Sequence, residues 1–357
     1  MIYIDASRYN NTEKRTGVEN YSYFLINELV RLYSKEITLI TPRKIDLPVA
    51  QIVIPFARLW THIRLSWEIF KTKNIDNLFV PSHVLPLINT KKSIITIHDV
   101  AFKYSPKSYS WKSRWYLDWA TKFAVKHAYK IITPSEKTKE DLMEFYGCDK
   151  GKIHVIPLGF SPSEVKISNS EEVEIMKKYD LEEKKYFLYI GRIEWKKNSD
   201  NLIKAFNDFS KLNPKIKLVM AGFPGHGGEE ILKQIPPKLK KQLILPGYIS
   251  EKEKQVFLKN TLSFIFPSRE EGFGIPLLEA MNAGVPLIAS NIPTSKEIAK
   301  ENAFFFEVED YESLSKLMQE VVKTKNAKDL KIEKHSETLK KYSWQKCAQE
   351  VYRLITS

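Results

Sequence analysis

The sequence predicts an α/β protein of two doubly wound, parallel-sheet domains, and two observations predict it. The chain has 357 residues, more than one hydrophobic core usually organises. Both halves also repeat one rhythm, in which short β-rich apolar runs alternate with amphipathic helical stretches. Apolar strands separated by helices read as parallel sheets covered on both faces.

The elements follow in order. Met1 to Asp5 reads as a strand that begins at once. Further runs in the first half are Ile37 to Ile40, Leu78 to Val80, Ser93 to Ile97 and Lys130 to Thr133. The second half has Tyr186 to Ile190, Ile216 to Ala221, Gln242 to Leu245, Ser263 to Phe266 and Pro286 to Ala289. Between the halves, Pro157-Leu158-Gly159 and the polar stretch Ser161 to Glu172 lack apolar periodicity and mark a boundary. The expected domains are therefore residues 1–160 and 161–342. A last helix over 343–357, with Trp344, Cys347, Val351 and Leu354 on one side, is expected to return to the first domain.

Composition excludes several classes. With 43% hydrophobic and 28% charged residues, the chain is neither disordered nor membrane-spanning, and no apolar run approaches the roughly 20 residues that cross a bilayer. The start shows no basic and apolar leader, so no secretory signal is expected. Two cysteines, Cys148 and Cys347, make neither a disulfide framework nor a thiolate metal cluster. The expected compartment is the cytoplasm. Net charge is +13, and residues 1–160 carry 24 Lys and Arg against 15 Asp and Glu. Such a field attracts nucleic acid, an anionic membrane surface or phosphorylated small molecules.

One segment carries the most chemistry. After the buried run Ser263 to Phe266, Ser268 to Ile275 reads as a loop, and Pro276 suits the first position of a helix ending at Gly284. A glycine-containing loop entering a helix is an anion site, because free N–H groups and the positive dipole end converge there. Gly272 and Gly274 allow close backbone approach. Glu271 and Glu279 have a plain reading as a loop acid and a solvated helical glutamate. Glu279, however, stands among Pro276, Leu277, Leu278, Ala280 and Met281, where a charge needs a partner. A ribose diol is one such partner.

The run Phe266-Pro-Ser-Arg-Glu-Glu-Gly-Phe-Gly-Ile-Pro-Leu-Leu-Glu-Ala-Met281 resembles the Glu-x7-Glu signature of retaining glycosyltransferases of the GT-B fold, family 4 (glycosyl transferases group 1). The resemblance implies that Glu271 faces the transferred sugar, that Gly272, Phe273, Gly274 and Ile275 face sugar or phosphate, and that Glu279 holds the nucleotide ribose. Tyr189-Ile-Gly-Arg-Ile-Glu-Trp-Lys-Lys-Asn198 resembles the family's Gly-Arg…Lys segment and implies that Arg192 and Lys197 meet the donor diphosphate, with Lys196 as an alternative to Lys197. In the first half, His98-Asp99 at the end of a buried strand resembles the family's cleft His-Asp. Gly17 and Asn20, in Thr16-Gly-Val-Glu-Asn-Tyr21, correspond to a loop bordering the acceptor, and Glu19-Asn20 departs from the usual basic or small residues there. The resemblance extends to bacterial surface-polysaccharide mannosyltransferases. It implies a nucleoside-diphosphate sugar donor with GDP-mannose first, and UDP-sugars and dTDP-rhamnose as alternatives. It also implies a glycan or polyprenyl-diphosphate-linked acceptor, no metal or other cofactor, and retained anomeric configuration. Closure about Pro157 to Ser161 is expected to exclude water.

Other features compete. Gly222-Phe-Pro-Gly225-His-Gly227-Gly228 lacks dinucleotide-fingerprint spacing and reads as a rim of the base pocket. No Asp-x-Asp occurs, which disfavours a metal-dependent transferase of the GT-A fold. Phe102 to Lys130 interleaves seven cations with Trp111, Trp115, Tyr116 and Trp119, and Arg58, Trp60, Arg64, Trp67 and Lys71 form a second patch. These aromatics either fill the core or meet an anionic membrane at the inner face of the cytoplasmic membrane. Alternative functions are a nucleotide-sugar epimerase, a glycan phosphorylase whose cofactor lysine is not recognisable here, and a basic nucleic-acid-binding protein; nucleic acid is not the expected partner.

Overall fold

Each of the ten runs above forms a strand in the computed structural model, which describes residues 1–12, 15–55, 60–72, 75–324 and 330–357. In chain order the first seven strands are β1 (Ile2–Asp5), β2 (Ile37–Thr41), β3 (Ala50–Val53), β4 (Asn77–Val80), β5 (Lys92–Thr96), β6 (Lys130–Thr133) and β7 (Ile153–Val155). They pair in the order β3-β2-β1-β4-β5-β6-β7, parallel throughout. The next six are β8 (Tyr186–Ile190), β9 (Lys217–Ala221), β10 (Leu243–Gly247), β11 (Ser263–Phe266), β12 (Leu287–Ser290) and β13 (Phe304–Phe306). They form a second parallel sheet, β10-β9-β8-β11-β12-β13. The fold is two doubly wound α/β units.

Residues 1–100, 111–161 and 342–357 make one compact unit, and residues 101–110 with 162–341 make the other. In the first, the C-terminal helix Trp344–Thr356 packs on the helix Gly17–Tyr33. Trp344 stacks on Phe24 at 5.3 Å, and Tyr352 stacks on Tyr33 at 3.7 Å. Gly159 accepts this helix closely, because a Cβ there would lie 2.3 Å from the Trp344 backbone nitrogen. In the second unit, Phe187, Phe206, Phe209, Leu218, Met220 and Ile288 are buried in one apolar cluster. Phe187 meets Phe209 edge to face at 5.3 Å. Truncating such an aromatic costs about 3–5 kcal/mol, so this sheet is a rigid base for the loops above it.

Strand order positions those loops. In each sheet the direction of winding reverses once, between β1 and β4 and between β8 and β11. Doubly wound sheets open a crevice at the carboxyl ends of the strands at such a reversal. The loops following β8 and β11 therefore flank one crevice, and those following β1 and β4 flank another. Among the described residues, no helix is long and apolar enough to cross a membrane.

Candidate functional site

The loop after β11 enters the helix Ile275–Asn282. That helix starts one residue before the expected position, so Pro276 is its second residue. Gly274 precedes it at φ +129°, a left-handed-region backbone that favours glycine. No side chain caps this helix start, so its positive end is left for another acceptor. At the other end Gly284 takes φ +66°, and its N–H and that of Val285 bond to the carbonyls of Met281 and Ala280. Paired bonds of this pattern close a helix through a left-handed glycine.

Two loops converge at the crevice. Lys197 Nζ donates to Glu271 Oε1, joining the β8 loop to the β11 loop. Ser268 Oγ donates to the same carboxylate oxygen at 2.7 Å. Lys197 projects from a short turn, Trp195–Lys197, which ends at Asn198 in the left-handed region, φ +57°. Asparagine tolerates that conformation better than most residues, and here its Nδ2 also donates to the Val308 carbonyl at 2.6 Å. Lys196, the neighbouring lysine, is itself buried.

Arg269 clamps the two loops. Its guanidinium donates to Asp200 at 2.8 and 3.1 Å, to Glu309 at 2.6 and 3.0 Å, and to the Trp195 carbonyl at 2.6 Å. Its backbone N–H bonds to the Lys196 carbonyl at 2.9 Å. The planar fork of arginine suits such bidentate pairing. Within the Ser-Arg-Glu-Glu run of the sequence, nothing distinguished Arg269 from a solvated cation.

Glu279, for which the sequence leads to an expectation of a ribose partner, has a protein partner. Lys254 Nζ, on the helix Glu251–Asn260, donates to Glu279 Oε1 at 2.6 Å and lies 2.8 Å from Glu251 Oε2. Arg192 stands apart from the Lys197–Glu271 pair: it is largely exposed, and its Nη2 lies 3.3 Å from Oε1 of the buried Glu194. The glycine cluster after β9 serves this same loop. A Cβ on Gly222 would lie 2.0 Å from the Gly191 carbonyl oxygen, one on Gly228 2.2 Å from that of Ile193, and one on Gly227 2.5 Å from the Trp195 ring. These glycines make room for residues 191–195, and reciprocal backbone bonds at 3.0 and 2.8 Å fasten Ile193 to Phe223 and Gly225.

In the first unit, His98 follows β5. Its ring meets Tyr21 edge to face at 4.7 Å and His83 at 5.1 Å, and its Nε2 lies 3.3 Å from the Pro81 carbonyl oxygen. Burial, reinforced by His83, pushes its pKa down to about 3, so the ring is neutral at pH 7. Asp99 follows it in the chain. Gly17 opens the helix Gly17–Tyr33, and open space surrounds the position a Cβ would take. Glu19 closes a capping box with Thr16, which accounts for its departure from the usual residue. Asn20 accepts from Arg15 Nε at 2.8 Å.

Trp60 of the second patch is buried and donates to Asp5 at 3.0 Å, but Trp67, Trp111 and Trp115 do not fill the core. On the helix Trp111–His127, Trp111 and Trp115 are 74% and 69% exposed, and on the helix Ser66–Lys71 Trp67 is 61% exposed. His62 joins the two patches through a 2.9 Å hydrogen bond to the Tyr116 hydroxyl. Arg58 lies outside the described residues.

Comparison with known proteins bears on this geometry. The profile described as Glycosyltransferase Family 4 matches residues 15–164, and that described as Glycosyl transferases group 1 matches residues 171–343. The chain belongs to the family 4 glycosyltransferases. This transferase is 22% identical to O-antigen chain mannosyltransferase B of Escherichia coli, over 85% of this chain and 81% of that protein. It is 26% identical to O-antigen chain mannosyltransferase RfbU of Salmonella typhimurium, over 71% and 66%. Among solved structures, HepE of Anabaena in complex with UDP and glucose superimposes with a TM-score of 0.74 at 14% identity, covering both chains fully. WaaG, a glycosyltransferase involved in lipopolysaccharide biosynthesis, does so with 0.74 at 14% over both full chains. These likenesses establish the GT-B fold of the transferase.

Proposed function

We propose that this glycosyltransferase moves a sugar, with mannose the first candidate, from a nucleoside-diphosphate donor to a glycan or polyprenyl-diphosphate-linked acceptor, with retention of anomeric configuration. The Lys197–Glu271 pair beside an uncapped helix start is the observation that carries this reading. A diphosphate offers Lys197 a doubly charged partner in place of Glu271. Releasing Glu271 frees its carboxylate for hydroxyls of the transferred sugar. Arg192, exposed and loosely paired, is available to the same diphosphate. Gly272 and the amides of Phe273, Gly274 and Ile275 line the phosphate and sugar, and Glu279 accepts from the ribose.

As the bond between anomeric carbon and diphosphate oxygen breaks, negative charge grows on the leaving phosphate. Fixed cations stabilise that charge without reorganising, so no divalent ion is assigned a role. The acceptor groups are His98, Asp99, Gly17 and Asn20. A neutral His98 positions an acceptor hydroxyl by hydrogen bonding and does not act as a general acid at pH 7. GDP-mannose leads among donors because O-antigen mannosyltransferases are among the relatives. The exposed tryptophans among cations support contact with the anionic inner face of the cytoplasmic membrane. Nucleic acid is not assigned as a partner. The test is release of free nucleoside diphosphate from GDP-mannose, UDP-glucose and dTDP-rhamnose in the presence of membrane lipid extract. Failure to consume any sugar nucleotide contradicts the reading.

A further inference from the structure

Lys254 is not a surface lysine of the ordinary kind. It lies in the charged run Glu251-Lys-Glu-Lys-Gln255, and two other lysines of its helix turn outward. Lys252 reaches Glu171 at 2.6 Å and Lys259 reaches Glu172 at 2.7 Å. Lys254 turns toward the donor crevice and holds Glu279 Oε1 at 2.6 Å with Glu251 Oε2 at 2.8 Å. Burial pulls its pKa down, but the carboxylates of Glu279 and Glu251 outweigh burial and hold the ammonium above its ordinary value.

Its backbone is fixed as well. Ser250 caps the helix in a reciprocal box with Glu253, and Glu253 is fastened in turn by Lys178 and by the Tyr179 hydroxyl, each at 2.7 Å. Val256, Phe257 and Leu258 are buried on the next turn. The ammonium is therefore delivered to Glu279 by a rigid element rather than by a free side chain.

We propose that Lys254 is a positioning residue that keeps Glu279 an oriented carboxylate and so makes the transferase select ribonucleoside over 2′-deoxyribonucleoside diphosphates. This rests on the reading of Glu279 as the ribose acceptor. An ionised carboxylate takes about four hydrogen bonds, and Lys254 uses one of them on Oε1. The remainder accept both the 2′- and 3′-hydroxyls of a ribose, whereas a deoxyribose offers one. Without the ammonium, Glu279 and Glu251 are like charges brought close by their common partner. Their repulsion turns the Glu279 carboxylate out of the orientation in which it faces both hydroxyls.

The experiment measures Kd by calorimetry for GDP, UDP and their 2′-deoxy counterparts on the full chain and on Glu279→Ala, Lys254→Met, Lys254→Gln and Lys254→Arg. The wild type prefers the ribo form roughly tenfold, the scale of one hydrogen bond to a charged group. Glu279→Ala removes that preference, Lys254→Met and Lys254→Gln remove it with Glu279 intact, and Lys254→Arg restores it. Thermal melting confirms that each variant is folded, and Gln serves if Met does not fold. A wild type without preference, or a Glu279→Ala protein that keeps it, overturns the ribose reading and the proposal with it. Loss in Glu279→Ala with retention in folded Lys254→Met or Lys254→Gln overturns the role of Lys254 and leaves the ribose reading standing.

Discussion

Lys197 and Glu271, 74 residues apart in the chain, form an ion pair that ties the loop after β8 to the loop after β11. Both side chains are mostly buried, 23% and 11% exposed. Removing one partner of such a pair leaves the other charge uncompensated. In the proposed reading the pair is a satisfied resting state, and the donor diphosphate releases both members.

Lys197→Ala accordingly lowers turnover about 10²–10³-fold, the scale of one preorganised electrostatic donor. The uncompensated Glu271 lowers the melting temperature, but the protein stays folded, because Ser268 still donates to Glu271 and the Arg269 clamp still joins the loops. Steady-state kinetics alongside thermal melting checks this. Turnover like that of the wild type removes Lys197 from the diphosphate.

The fit of the glycine cluster is tested by Gly222→Ala. The new methyl would stand 2.0 Å from the Gly191 carbonyl oxygen, at a backbone φ of +147°, and neither backbone can yield without moving the 191–195 loop. Overpacking of this kind costs about 1–3 kcal/mol, with a further penalty for positive φ. The expected result is a clear loss of thermal stability, together with loss of activity through displaced Arg192 and Lys197. A variant with the stability and turnover of the wild type contradicts this packing account.

Histidine burial sets a pH dependence. Burial lowers the pKa of His62, His98, His154 and His335 below the unfolded value. Below about pH 6.5 the unfolded chain then binds more protons than the native one, so stability falls as pH falls. For His98, with a native pKa of about 3, the loss at pH 5 is about 2 kcal/mol. His98→Gln should therefore narrow the drop in melting temperature between pH 8 and pH 5. An unchanged drop would show that His98 protonates as readily in the native state as in the unfolded one.

The exposed aromatics predict membrane adsorption. Trp67, Trp111 and Trp115 lie among Lys71, Lys112 and Arg114, so the protein should sediment with phosphatidylglycerol vesicles and less with phosphatidylcholine. Trp111→Ser with Trp115→Ser should reduce the bound fraction without lowering the melting temperature. Equal sedimentation of the wild type and the double variant would sink the membrane role of this patch.

Much of the fold is legible in local sequence because buried parallel strands are continuous β-branched and aromatic runs. Ile37 to Ile40 and Phe187 to Ile190 declare themselves without tertiary knowledge. The strands that escape such reading, Ala50–Val53, Ile153–Val155 and Phe304–Phe306, are short, only partly buried and all lie at sheet edges, so they lack the continuous buried apolar run of a central strand. At the site, Glu271, Glu279 and Lys197 stand out through glycine, proline and loop context. Arg269 and Lys254 do not, since each sits in a charged run that reads as solvated surface. Only the approach of a second loop or helix gives them buried partners. The glycines at 222–228 read in the sequence as a rim of the base pocket, whereas the loop they make room for lies some thirty residues earlier and leaves no local trace. Trp111 and Trp115 were legible as amphipathic, and only the fold decides that they face outward.

The most direct test of the donor site is a thermal-shift titration of the wild type with GDP-, UDP- and dTDP-sugars, repeated on Lys197→Ala and Glu279→Ala. A ligand that binds the native state raises its melting temperature, by about 2.7 kcal/mol of added stability at a hundredfold excess over Kd. The account predicts a saturable upward shift with at least one sugar nucleotide, GDP-mannose first, and a diminished shift in both variants. No shift with any of them, or an equal shift in all three proteins, would contradict it.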